Sequence, residues 1–295
     1  MKRLKLTVAY DGTNYCGWQV QPGVPTIEGE LNKALSRLTG EDIQVIGASR
    51  TDAGVHACGN VAVFDSGTPI PGEKMMFALN PHLPEDIRVV DSCEVAADFH
   101  PRYCDTRKTY EYHIQTGRTP LPTRRLYSHW LPHRLDVAAM NEAAQYLVGT
   151  HDFKSFCAAQ TQVKTTVRTV LGITVEERFS DRALSLMETA AGQIRGKQGS
   201  IDLGDGQWSC QRQPDKWFIP GNGAENVHPQ DIIIRVEGEG FLYNMVRIIS
   251  GTLIKVGLHG WPPEYVKEIL ESRDRTRAGE TVPAKGLFLK KIEYL

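Results

Sequence analysis

The chain has only six cysteines in 295 residues, Cys16, Cys58, Cys93, Cys104, Cys157 and Cys210, and no two of them form a C-x-x-C pair. That absence removes the zinc-knuckle and thioredoxin-type readings and leaves thiols suited to a reducing compartment. No run of about 18 uncharged apolar residues occurs, so no membrane-spanning helix is expected. The opening residues are basic, but Lys5 and Thr7 interrupt their apolar run and Asp11 ends it, too soon for a secretory signal. A cytoplasmic protein is expected. An excess of charge of one sign is also missing. Thirty-four Lys and Arg against thirty-five Asp and Glu give a net charge of −1, which argues against a uniformly basic coat for nucleic acid.

What remains is an ordinary globular composition, 41% apolar and 23% charged, in a length that suggests about two domains or a duplicated one. The charges are spread unevenly. Between residues 102 and 134 stand Arg102, Arg107, Lys108, Arg118, Arg124, Arg125 and Arg134, with only Asp105 and Glu111 opposing them. Tyr103, Tyr110, Tyr112, Tyr127 and Trp130 are interleaved. A solvated charged face would explain this, and so would a groove that tracks phosphates and stacks bases.

Apolar spacing gives the order of elements. Leu4, Leu6, Val8 and Tyr10 alternate as a strand does, and Asp11-Gly12 closes the run with turn chemistry. Ile27, Leu31, Ala34, Leu35 and Leu38 follow at helical spacing, with Thr26 placed to cap and Gly40 to terminate. Strands over 43–46 and 60–64, a short helix over 73–79 and a strand over 87–90 complete a β-α-β-β-α-β plan. A second series begins with a strand at 109–114 and a helix capped by Asp136. Strands at 167–175 and 232–236, helices at 245–256 and 263–270, and a closing strand at 287–292 follow. The pattern predicts an α+β fold of two similar ferredoxin-like halves sharing one mostly antiparallel sheet, with halves at 1–105 and 106–295. Residues 178–230 hold seven glycines and no sustained period, yet include Trp208, Trp217 and Phe218, and are expected to form an ordered or partly ordered insertion.

The polar, glycine-containing stretch Ser49-Arg-Thr-Asp-Ala-Gly-Val-His-Ala57 falls between two expected strands, where reactive groups are commonly held. A carboxylate at Asp52, ordinarily of pKa about 3.9, stays ionised at pH 7 even after a two-unit rise, and so suits a nucleophile or base better than an acid. Arg50, two positions earlier, would share its side of an extended backbone. A plain β-turn with Asp52 capping amides is the competing explanation.

The string Arg50-Thr-Asp-Ala-Gly-Val-His-Ala57 resembles the catalytic motif of the tRNA pseudouridine synthase A family. Five further segments resemble the family in order and spacing: Tyr10-Asp-Gly-Thr-Asn-Tyr-Cys-Gly-Trp-Gln19 with Gln21; Phe99-His-Pro-Arg102 with Lys108-Thr-Tyr-Glu-Tyr112; Gly149-Thr-His-Asp-Phe153 with Ser155-Phe156; Gly240-Phe-Leu-Tyr-Asn-Met-Val-Arg247 with Gly251 and Val256-Gly257; and Pro283-Ala-Lys-Gly-Leu-Phe-Leu289. The chain departs from the pattern at Ser49, where glycine is usual, at Asp105 and at Val282.

The resemblance implies isomerisation of uridine to pseudouridine in the anticodon stem-loop of tRNA, at positions 38 to 40, without metal, nucleotide or other cofactor, by a homodimer whose one tRNA touches both subunits. It implies that Asp52 is the essential aspartate, that Tyr110 stacks on the target base and is suited to taking the C5 proton, and that Arg247 pairs with the aspartate. An everted base also needs its place in the helix braced and its backbone held. Arg50 and His56 are expected to do the first, Leu287 to pack beneath the base, and Arg102, Arg107, Lys108, Arg124 and Arg125 to contact phosphates. Without the resemblance, Tyr110 and Leu287 read equally well as core strand residues.

Other signals carry less. His129-Trp-Leu-Pro-His133 lacks a zincin glutamate, and Pro132 breaks the helix such a site needs. Gly192-Gln-Ile-Arg-Gly196-Lys197 is one residue short of phosphate-loop spacing and continues into Gln198. Two other classes stay open: a nucleoside or glycoside hydrolase using Asp52, which would need a second carboxylate, and a non-catalytic RNA-binding module, which would need no Asp52 at all.

Overall fold

The protein, seen in a computed structural model, is described over residues 1–158, 163–178 and 230–295. Most of the insertion, with Trp208, Trp217, Phe218, Cys210 and the glycine-lysine stretch at 192–197, lies outside the described residues. The first half begins with β1 (Lys2–Tyr10), whose buried side chains are the alternating Leu4, Leu6, Val8 and Tyr10. Helix α1 (Ile27–Thr39) starts where Thr26 Oγ accepts from Gly29 N at 3.3 Å and ends at Gly40 in the left-handed conformation. Its buried stripe is Ile27, Leu31, Ala34 and Leu35. Two strands follow, β2 (Ile46–Gly47) and β3 (His56–Ser66), then α2 (Met75–Leu79) and β4 (Ile87–Val95). The expected strand over 43–46 is reduced to β2 because α1 takes its amides: Ile43 N donates to Ser36 Oγ and Val45 N to Asn32 Oδ1.

The second half comprises β5 (Thr106–Thr116), β6 (His129–Leu131), α3 (Val137–Gln145), β7 (Gly149–Asp152), β8 (Val167–Arg178), β9 (Asp231–Gly238), α4 (Met245–Gly257), α5 (Tyr265–Ser272) and β10 (Leu287–Tyr294). Asp136 caps α3 by accepting from Ala139 N at 3.0 Å. Periodicity did not reveal β6 and β7, which are three and four residues long and half-buried, too short to show an alternation.

The strands among the described residues form one sheet, ordered β4-β1-β3-β10-β5-β9-β8-β7, with β2 added to β3 and β6 to β5. Along that path every neighbouring pair is antiparallel except β10 with β3. The last strand is thus a central one. It meets β3 of the first half only at Phe288 with His56 and Leu289 with Ala57, and meets β5 along its length. This is the expected α+β architecture, a mostly antiparallel sheet with five α-helices packed on it among the described residues. One contiguous apolar cluster fills the space between, and α4 contributes more buried side chains to it than any other helix. On the sheet's other face Glu111 gathers Arg235 at 3.0 Å, His113 at 3.2 Å and Lys290 at 3.7 Å.

Backbone crowding locks the loop before β3. A Cβ on Gly12 would lie 2.0 Å from the carbonyl oxygen of Val55, and Gly54 holds φ +76° in the turn closed by Val55 N on Asp52 O. Gly12→Ala is therefore expected to destabilise the protein by about 1–3 kcal/mol, the range for overpacking. Gly172→Ala, with open space around it, is expected to stay within about 0.5 kcal/mol of the parent. Thermal unfolding followed by circular dichroism checks both, and equal stability of the two variants would refute the crowding.

Candidate active site

The loop between β2 and β3 is held from below by buried polar contacts. Thr51 Oγ1 lies 2.7 Å from Tyr10 Oη, Asn60 Nδ2 donates to Ser49 O at 2.9 Å and to Tyr10 Oη at 3.3 Å, and Trp18 N donates to Thr51 O at 3.0 Å. Two of the sequence motifs, Tyr10 to Gln19 and Arg50 to Ala57, are thereby packed together through backbone and side chain. The consequence is a loop with little freedom, presenting Asp52 at its tip.

Asp52 Oδ2 lies 3.5 Å from Arg247 Nη1. Arg247 sits in the first turn of α4, and its donors are divided: Nε gives to Val282 O at 2.8 Å and Nη1 to Asn244 Oδ1 at 2.8 Å. Charge-assisted pairs usually close to about 2.7–2.9 Å, so the guanidinium is engaged more tightly with these two oxygens than with the carboxylate. The Asp52 side chain is 18% exposed. Burial raises its pKa above the ordinary carboxylate value, and the charge and hydrogen bond of Arg247 only partly oppose this. Oδ1 accepts no hydrogen bond among the described residues and is open to solvent. The arrangement is a carboxylate with one oxygen steadied and the other free.

Tyr110, on β5, is buried with its ring edge-to-face on Phe241 at 5.2 Å. Its hydroxyl lies 2.9 Å from Ser49 Oγ. Burial pushes the phenol up to about 12; the Ser49 hydrogen bond works against that rise, and the Asp52 charge adds to it. Tyr110 is therefore a neutral phenol at pH 7, near enough to Asp52 to sense its charge.

The structure brings Asp52, Tyr110 and Arg247 to one place and disperses others. Arg50 is exposed on the same loop, with no hydrogen bond or ion pair among the described residues. Leu287 is 5% exposed, at the start of β10 opposite Tyr112, within the core. His56 corrects the expectation made for it: it is 1% exposed, and Gly12 N donates to its Nδ1 at 3.1 Å while Nε2 contacts Leu126 O at 3.0 Å. Stacked on Phe288 at 4.7 Å, it is a strut beneath the loop and cannot fill a gap in an RNA helix without unpacking. Arg107 is exposed on the face of β5 opposite Lys108, since neighbours on a strand alternate. Arg124 is paired with Asp231 at 2.8 Å, and Arg125 is exposed. Among the described residues no group of three or more potential metal ligands gathers, at His129 and His133 or elsewhere. Likewise, no helix among them is long and apolar enough to cross a membrane.

Sequence reasoning missed Ser49, Asn244 and Phe241 as site residues. The first stood out only as a departure from a motif and the others lay inside one, but their roles depend on distances that spacing does not supply.

Residues 6–104 and 143–295 match the family profile described as tRNA pseudouridine synthase. The chain belongs to that family. The first stretch holds Asp52 and the second holds Arg247 and Leu287; Tyr110 falls between them. Relatives named tRNA pseudouridine synthase A span this chain and their own entirely, including one from Moorella thermoacetica at 43% identity over 296 residues, one from Brevibacillus brevis at 42% over 294 and one from Clostridium acetobutylicum at 40% over 294.

The raised pKa of Asp52 has a stability consequence of definite sign. A carboxyl whose folded value exceeds its unfolded value adds stability below the unfolded value, about 3.9, and loses it as pH rises through the folded one. At pH 7 the ionised group therefore costs stability. Asp52→Asn is expected to melt higher than the parent at pH 7, with the difference shrinking toward pH 4. A lower melting temperature for the Asn variant at pH 7 would refute the balance of burial over Arg247.

Proposed function

We propose that this protein isomerises uridine to pseudouridine in the anticodon stem-loop of tRNA, at positions 38 to 40, with Asp52 as the essential group. The observation that carries the reading is the Asp52 carboxylate, destabilised by burial, steadied at one oxygen by Arg247 and free at the other, beside a buried neutral tyrosine. Family membership supplies the reaction class, and the geometry supplies groups suited to it.

The isomerisation breaks the bond from the ribose carbon to N1 of the base, turns the base, and forms a bond from the same carbon to C5. A proton leaves C5 and one is gained at N1, so atoms balance and nothing is oxidised. The ionised free oxygen of Asp52 suits attack on ribose or base, or proton removal from the ribose, since each needs an electron pair that no hydrogen bond already holds. Arg247 favours the charged form against the rise that burial causes. A uridine in or beside a stem must first be everted, at a cost of a few kcal/mol, and Tyr110 and Leu287 lie on neighbouring strands where an aromatic ring and an aliphatic side chain could bound it. With a phenol pushed up to about 12, Tyr110 takes the C5 proton only as it releases its own, and the half-buried Ser49 hydroxyl at 2.9 Å can relay that proton only by passing its own on to water. Arg50 supports the reading as an uncommitted guanidinium two residues from the nucleophile. The proposal carries with it a homodimer holding one tRNA across both subunits in the cytoplasm; sedimentation with and without tRNA tests the assembly.

Nucleoside analysis of tRNA from cells lacking this protein, complemented by parent or variant, tests product, position and residue together. Pseudouridine at 38 to 40 is expected with the parent and none with Asp52→Asn, whereas free uracil would indicate a hydrolase. Arg247→Gln removes the charge that lowers the Asp52 pKa. The acid limb of kcat/KM is therefore expected to move to higher pH, and an unmoved limb would remove Arg247 from this role.

A further inference from the structure

Three cations meet beside the loop that carries Asp52. Arg102, from the turn after β4, donates through Nε to Gly47 O at 2.7 Å. Lys108, on β5, reaches Ala48 O with Nζ at 3.5 Å. Arg168, near the start of β8, is steadied by Nη1 on Thr165 O at 3.0 Å and Val167 O at 2.6 Å. Arg102 and Lys108 thus converge on the carbonyls of 47 and 48, immediately before Ser49, and the sheet register brings the start of β8 alongside, since Lys108 and Val170 both pair with Gly238 of β9.

The cluster gathers three cations with no counter-charge, whereas several other cations are held in ion pairs: Arg3 with Asp65 at 2.6 Å, Lys2 with Glu94 at 2.8 Å, Arg124 with Asp231 at 2.8 Å and Arg235 with Glu111 at 3.0 Å. Arg102, Lys108 and Arg168 make no ion pair with a carboxylate among the described residues. Burial first, then the charges of Arg102 and Arg168, hold the Lys108 ammonium below the ordinary lysine range. A half-buried ammonium flanked by two guanidinium groups raises the energy of the free protein, and nothing in the fold requires it. An anion would relieve it.

We propose that Arg102, Lys108 and Arg168 form a seat for a backbone phosphate of the RNA strand next to the everted nucleotide. This rests on the function proposed above and adds to it a place and a third residue, Arg168, from outside the basic stretch. The location fits. Lys108 lies two residues before Tyr110 on the same face of β5, about 6.7 Å along the strand, which is the scale of a single nucleotide. Backbone carbonyls, of Gly47 for Arg102, Ala48 for Lys108, and Thr165 and Val167 for Arg168, fix the cations without neutralising them, so the seat is preorganised and loses little entropy on binding.

The experiment uses the full chain, with three readouts: tRNA affinity across salt, pseudouridine formation, and melting temperature without RNA. Lys108→Met and Arg168→Gln are each expected to weaken tRNA binding about tenfold and to flatten the slope of log affinity against log salt by about 0.7–0.9. Lys108→Met is also expected to melt no lower than the parent, because removing the middle of three repelling charges relieves the apo protein; a purely structural lysine would lower it. Lys108→Arg should restore the slope. If the parent forms pseudouridine and both neutral variants keep its affinity and slope, the seat is overturned while the function stands. A parent that forms no pseudouridine in tRNA overturns the function itself. Arg168→Gln is an independent test should Lys108→Met fail to fold, since its side chain holds only the neighbouring carbonyls of Thr165 and Val167.

Discussion

A carboxylate held largely out of water, against a guanidinium already committed to two other oxygens, is the constraint on which the site depends. Had Arg247 been free to close on Asp52 with both Nη groups, the pair would be tight, the aspartate strongly acidic and its oxygens occupied. Instead Val282 O and Asn244 Oδ1 hold the guanidinium at 2.8 Å each, and the carboxylate receives one long contact of 3.5 Å. Burial then outweighs attraction. The result is a carboxylate poorly stabilised in its charged form, which is the condition for reactivity.

That balance needs the two halves of the chain to be held in fixed relation. Asp52 and Arg247 are 195 residues apart in sequence. The loop bearing the first hangs from β3, and the helix bearing the second packs on the core beneath β5. Strand β10 joins the two by pairing with β3 on one side and β5 on the other. The last segment of the chain closes the sheet at the seam where the site lies, and the same segment supplies Val282 O to orient Arg247. Losing Arg247 would leave the part-buried Asp52 carboxylate without its counter-charge, so the site depends on the seam that holds the guanidinium in place.

Much of this was legible in the residues. Strict alternation in Leu4 to Tyr10 and the helical stripe from Ile27 to Leu35 were enough to place β1 and α1, because each buries one face against a single core. The expected pair at 43–46 failed for a reason no period contains: Asn32 and Ser36, polar residues of a neighbouring helix, claim the amides a strand would need. At the site, Asp52 was marked by its motif. His56 was misjudged from the same string, because a histidine in a conspicuous motif reads as chemistry, whereas here its two ring nitrogens are consumed by Gly12 N and Leu126 O. Ser49 stood out only as a departure from glycine, and its hydroxyl proved to be the partner of Tyr110.

The free protein carries electrostatic cost of both signs within a few residues. Burial disfavours the ionised forms of Asp52 and Tyr110, while burial and like charge disfavour the ammonium of Lys108. Had stability alone shaped this region, an acidic residue beside Lys108 would have cancelled one burden and an apolar residue at 52 the other. A polyanionic substrate resolves the two differently. With the substrate proposed above, a phosphate would neutralise the cations, and base and sugar would displace water from Asp52 and sharpen the remaining interactions there. On that proposal the electrostatic cost within the free protein becomes a preference for a nucleotide out of its stack rather than for nucleic acid at large, because phosphate and everted base would be needed together to relieve it.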